Sequence, residues 1–203
     1  MGPVRMGTVM LFDLDHTLIH SSTRCKNSSL PGFPIRLKDG FATYVHVRPH
    51  ALELVEYLIG SKWTRIGFWT AGTRDYALAV VGGIFGLLGI QDWRGRIATL
   101  RSRDSAKRLP SGSYLKDVKK LSTTLRADRV WLFDDDPVHL QLDTNRRHII
   151  PVSPFRADDC VADAVLRGVL DIAKALDTLQ GRCVRGERAR VSPIETLDEL
   201  EAA

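Results

Sequence analysis

The sequence predicts an α/β fold: a doubly wound, Rossmann-like parallel sheet with a small β-hairpin inserted after the first strand. Three observations carry that expectation. Short apolar runs of buried-strand length alternate with segments of helical periodicity, the pattern that right-handed crossovers and a sheet covered on both faces require. The first run, Val9 to Phe12, passes directly into Asp13-Leu14-Asp15, two acids at the end of a strand. Lys38-Asp39-Gly40 then separates two β-prone runs inside Phe33 to Val47, and Asp-Gly in that setting reads as a hairpin turn.

In chain order, the strand segments are Thr8 to Leu14, Arg65 to Thr70, Arg96 to Leu100, Arg129 to Phe133 and His148 to Val152. Ala51 to Ile59 reads as a helix opened by Pro49, with Leu52, Val55, Leu58 and Ile59 on one face. Thr73 can cap a second helix, Arg74 to Leu88. Tyr114 to Leu121 and Ala162 to Leu179 complete the helical set. Ser21 to Gly32, with its Ser, Asn, Pro and Gly, reads as a loop. The hairpin of residues 33–47 would rise above the carboxyl edge of the sheet, where open α/β folds bind ligands. One domain over residues 1–179 is expected. Residues 180–203 read as an Arg-rich linker followed by a short helix, because Ser192-Pro193-Ile194-Glu195 forms a capping box.

Composition narrows the class. The 203 residues are 44% apolar and 26% charged, ordinary for a globular protein and wrong for a disordered one. The net charge of +5 makes anionic partners such as phosphoproteins or nucleic acid plausible. Cys25, Cys160 and Cys183 are odd in number and lack metal spacing, so no disulfide and a reducing compartment are expected. The N-terminus shows no signal-peptide core, and the longest apolar stretch, Ala77 to Ile90, is too short to cross a bilayer. A soluble intracellular protein of nucleus or cytoplasm, with no membrane association, is the expectation.

The chemistry converges at strand ends. Asp13 and Asp15, Thr70, and Asp134-Asp135-Asp136 all follow buried runs, and in a parallel sheet they share one carboxyl edge. Carboxylates so close repel, so a cation or a shared proton must compensate, which makes this a candidate metal site. Lys116 can add positive charge, with Lys119 and Lys120 as nearby competitors for that role. His16 reads as a loop residue beside the paired acids, and His20, His46, His50, His139 and His148 show no ligand spacing and read as structural.

Taken in order, Asp13-Leu14-Asp15-His16-Thr17, Thr70, Lys116 and Asp134-Asp135 resemble the four motifs of the haloacid dehalogenase phosphatases. Within that superfamily, Leu14 to His20, Val47-Arg48-Pro49-His50, Phe68 to Ala71, Tyr76-Ala77, Tyr114 to Asp117 and Asp134 to Pro137 resemble one group in particular. These are the small C-terminal-domain phosphatases and TFIIF-associated phosphatases of RNA polymerase II, the NLI-interacting-factor-like group. The resemblance runs from about Met10 to Leu179. It implies an Mg²⁺-dependent phosphomonoesterase in which Asp13 is the nucleophile and Asp15 the general acid and base. Thr70 and Lys116 would assist, and Asp13, Asp15 through its carbonyl, Asp134 and Asp135 would hold the ion. Thr17, Ala71, Arg48 and Arg101 would meet the phosphate. The family hairpin carries an apolar pocket for a proline-containing phosphopeptide, and Ile35 and Leu37, with Phe33, offer such groups here. A phosphoserine or phosphothreonine protein or peptide is the first substrate choice. A nucleotide, nucleic-acid end or small-molecule phosphate, or a non-catalytic binding role, remain as alternatives.

Overall fold

A computed structural model describes residues 7–23, 29–142, 145–158 and 163–184. Its core is a five-stranded parallel sheet in the order β10-β9-β1-β5-β6, with β1 at Thr8–Phe12, β5 at Thr64–Trp69, β6 at Leu100–Arg101, β9 at Arg129–Asp134 and β10 at Ile149–Pro151. From the central β1 the chain builds outward to β5 and β6, then returns to add β9 and β10 on the other side. The switch point therefore lies beside β1, and Phe12 pairs with Phe133 there.

Alternation along β1 divides the core between the two faces. Met10 and Phe12 join a large cluster with α1 (Ala51–Gly60), α2 (Arg74–Leu87) and α4 (Val165–Val184). Val9 and Leu11 face Val118 and Leu121 of the short α3 (Val118–Leu125), together with Trp69, Val130 and Leu132. Thr73 caps α2 as expected, its hydroxyl accepting from Tyr76 N at 3.2 Å. Asp177 of α4 binds the hydroxyls of Tyr57, Ser61 and Thr64, tying that helix to α1 and β5.

Four expectations are corrected. The expected hairpin of residues 33–47 is present, but a further strand extends it into a three-stranded antiparallel sheet, so the loop expected from Ser21 to Gly32 is shorter. The order of this sheet is β2-β4-β3, formed by Ile19–Ser22, Gly32–Arg36 and Ala42–Val47, so Ser21 and Ser22 belong to a strand. Backbone pairing of the third parallel strand in chain order starts at Ala98, but regular strand is confined to Leu100–Arg101, because Arg94–Arg96 closes into a 3₁₀ turn. Tyr114 to Leu121 is not one helix. Tyr114–Leu115 (β8) pairs with Lys107–Arg108 (β7), and α3 begins only where Asp117 caps it by accepting from Lys120 N. Finally, α4 starts at Val165 and runs on to Val184, past the expected end at Leu179. Cys25, Cys160, the arginines from Arg185 onward and the capping box at Ser192 lie outside the described residues, as does the side chain of Cys183. No helix among the described residues is long and apolar enough to cross a membrane.

Candidate active site

β1 delivers Asp13 to the switch point, and Asp13 N still donates to Phe133 O at 2.9 Å, so β1 and β9 stay zipped up to the first acid. The chain then reverses. Leu14 O accepts from Leu18 N and Ile19 N at 2.9 and 3.0 Å, and His16 takes a left-handed φ of 60° to close the turn. Asp15 leaves the strand at this point and sits half-buried rather than continuing the β1 pleat.

Lys116 is the hub of the site. It is 1% exposed, and its Nζ donates to Asp13 Oδ1 at 2.5 Å and to Asp134 Oδ2 at 2.6 Å. Burial alone would strip its proton, but the Asp13 and Asp134 charges outweigh that and hold its pKa above the usual lysine value. Burial pushes Asp13 well above the ordinary carboxylate range, with Lys116 opposing and Asp134 and Asp15 adding to the rise. For Asp134, burial also pushes upward, yet Lys116 and His139 prevail and its pKa lies below the usual value. Asp135 is raised, by burial first and then by the Asp134 charge.

The backbone around Lys116 is clamped by residues with no sequence signal. His139 Nδ1 accepts from Lys116 N at 3.3 Å, so its proton sits on Nε2, 3.2 Å from Asp134 Oδ2. Asn145 is fully buried; its Nδ2 donates to Lys116 O at 2.6 Å and to His139 O at 3.1 Å, while Oδ1 accepts from Val118 N. Thus His139 is structural, as expected, but in direct support of the lysine.

Asp15 has its own pair of donors. Tyr76 Oη donates to Asp15 Oδ1 at 2.5 Å, and Ser21 Oγ reaches the same oxygen at 3.3 Å. Tyr76, whose pKa is raised by burial and then by Asp15, stays a neutral donor. Gly72 makes room for this ring, since a Cβ there would lie 2.6 Å from Tyr76 Cδ1. Thr70 is buried and its Oγ1 accepts from Gly72 N at 2.9 Å, leaving its own proton for another acceptor. Ala71 is exposed beside it, and Thr17 Oγ1 donates to Asp135 Oδ1 at 3.2 Å.

Carboxylate oxygens of Asp13, Asp134 and Asp135 all lie within 4.8 Å of one another. Four acids around one lysine leave a deficit of positive charge, and the donors are hard oxygens, so the set fits a small divalent cation such as Mg²⁺. The side chain of Asp15 lies outside that carboxylate cluster.

One substrate-contact expectation is corrected, that for Arg48. Arg48 is 2% exposed; its Nε donates to Asp163 Oδ2 at 2.7 Å, its Nη1 to Thr17 O at 3.0 Å, and its guanidinium lies over Phe155. It braces the turn after β1 instead of presenting a charge to phosphate. Ile35 is 8% exposed and packs in the main core, with Leu37 against the same cluster, while Ile35 also lines an open surface cavity of about 490 Å³ with Pro34, Ala42 and Tyr44. Phe33 lies so close to α2 that a Cβ at Gly83 would come within 2.0 Å of its ring. Arg101 stays half-buried at the sheet edge, its Nε donating to Thr99 Oγ1 at 3.3 Å.

A doubly wound sheet whose switch point gathers acids around a buried lysine defines the class: a haloacid dehalogenase-type α/β fold. The chain belongs to the NLI interacting factor-like phosphatase family, whose family model matches residues 8–184. Among solved structures it is similar to the fission yeast RNA polymerase II CTD phosphatase Fcp1, a variant bound to beryllium fluoride, at 20% identity and a TM-score of 0.50. That match covers 87% of this chain and 50% of the other. A second structure, of Fcp1 described as an essential RNA polymerase II CTD phosphatase, is 21% identical with a TM-score of 0.51, covering 86% and 49%. The chain thus spans about half the length of these proteins. No curated protein matches it.

Proposed function

We propose that this chain is an Mg²⁺-dependent phosphomonoester hydrolase acting through an aspartyl-phosphate on Asp13. The observation that carries the reading is the Lys116 bridge: one buried cation holds Asp13 Oδ1 and Asp134 Oδ2, orienting Asp13 so that its second oxygen can attack. Asp13 Oδ2 bonds to phosphorus as the ester P–O bond breaks. Asp15, whose Oδ1 is held by Tyr76 and Ser21, gives its proton to the departing oxygen. It then takes a proton from water as the water oxygen bonds to phosphorus and the bond to Asp13 breaks, releasing inorganic phosphate and restoring both carboxyl groups. The Thr70 hydroxyl and the Ala71 N–H donate to phosphoryl oxygens, and Lys116 offsets charge as it shifts. Asp13, Asp134, Asp135 and the Asp15 carbonyl would hold Mg²⁺, which when bound would supply the positive charge that lets a dianion approach carboxylates.

The substrate we propose is a phosphoserine or phosphothreonine segment of a protein, of the RNA polymerase II C-terminal-domain type, in nucleus or cytoplasm. Family membership and the likeness to Fcp1 support it. The test is turnover of phosphopeptides by the purified chain. Asp13→Asn is expected to cut kcat by more than about a thousandfold with unchanged circular dichroism, and EDTA is expected to stop the wild type until Mg²⁺ is restored. Full activity in either case refutes the proposal.

A further inference from the structure

The chain's positive charge is not spread evenly. Between Arg94 and Arg126 it carries ten Lys or Arg against two Asp, a net of +8, compared with +5 for all 203 residues. This segment runs from the end of the α2 region through β6 and α3 towards β9, and it supplies most of the lining of a cavity of about 730 Å³. Arg101, Lys107 and Lys120 line that cavity, and among the described residues none of them is ion-paired. The two acids at its wall are already engaged. Asp117 caps α3 through Lys120 N, and Asp104 accepts from Ser102 Oγ at 2.9 Å.

Trp69, 3% exposed, forms part of the cavity wall. The cavity also adjoins the site through the backbone. Trp69 immediately precedes Thr70, Leu115 immediately precedes Lys116, and Thr70 N donates to Arg101 O at 3.0 Å.

We propose that this cavity is a subsite for a second phosphoryl group on the same peptide, so that the preferred substrate is a multiply phosphorylated segment. This rests on the phosphatase reading and extends it to substrate class. Three cations suit a compact dianion held by charge-assisted hydrogen bonds. The short β7–β8 hairpin presents Lys107 on its exposed surface, where a peptide leaving the catalytic crevice could be met.

The experiment compares kcat/KM for peptides of one sequence carrying one or two phosphoserines, in wild type and in the double variant Lys107→Ala/Lys120→Ala. The wild type is expected to favour the doubly phosphorylated peptide, with a steeper salt dependence, and the double variant to lose that preference on the order of tenfold. Using the ratio of the two peptides removes any general change in activity. Equal kcat/KM for both peptides in the wild type overturns the subsite. So does a single-stranded oligonucleotide that competes through Lys107 and Lys120 better than the doubly phosphorylated peptide. Hydrolysis of para-nitrophenyl phosphate by the wild type is measured in parallel, so that failure of the phosphatase reading itself is seen separately.

Discussion

At the carboxyl edge beside β1 the buried side chains are mostly charged; in the three-stranded insertion they are mostly apolar, with Thr43 and His46 the exceptions among the described residues. The first region is held by directional contacts that cannot be exchanged: Lys116 serves two carboxylates at once, and His139 and Asn145 serve Lys116. The second is held by area. Ile35, Val45 and Val47 bury their side chains in the main core, while Pro34 and Arg36 point outward and remain exposed. A charge network fails when one member is lost, because the others are left buried and uncompensated. A packed face loses stability by increments set by the atoms removed.

The largest effect expected from this contrast is at the hub. Lys116→Met should cost about 3–5 kcal/mol of stability in chelated protein, the range for breaking a buried pair, and should abolish turnover. Part of the loss should depend on pH. Asp134 titrates below its ordinary 3.8, so its contribution is present above that pH and lost as pH falls through the lowered value. The melting-temperature gap between wild type and variant should therefore narrow below pH 3.8. A gap that widens on acidification would break the comparison.

A smaller effect should mark the insertion. Ile35→Ala should cost about 2–3 kcal/mol in denaturant unfolding while leaving KM for a phosphopeptide within about twofold. Exposed Arg36→Ala should change stability by less than about 0.5 kcal/mol. A raised KM for the Ile35 variant without lost stability would show that Ile35 serves the substrate rather than the core.

How much could be read beforehand follows the same division. Asp13, Thr70, Asp134 and Asp135 were legible because each ends an apolar run, and a parallel sheet carries strand ends to one edge. Lys116 was legible by its place in the order of motifs, although its local structure was not, since Tyr114 and Leu115 pair as a strand before Asp117 starts the helix. The role of Arg48 was hidden because its partner, Asp163, is 115 residues away. Period-2 alternation in Phe33-Pro34-Ile35-Arg36-Leu37 separates two faces but does not say which one meets α2; the close approach of Phe33 to Gly83 decides it. Strand β2 escaped notice because four residues, two of them serine, carry too little apolar pattern. His139 and Asn145 had no signal, for their work is done by single hydrogen bonds to a backbone that had first to be folded.

The central claim is that Asp13 takes the phosphoryl group. It is tested most directly by quenching the wild-type protein during turnover of a phosphopeptide, reducing with borohydride and mapping the product by mass spectrometry. An acyl phosphate at Asp13 is reduced to homoserine, so conversion at residue 13 that requires both substrate and Mg²⁺ is the expected result. Conversion at Asp15, Asp134 or Asp135 instead, or steady turnover with no modified aspartate, would contradict the account.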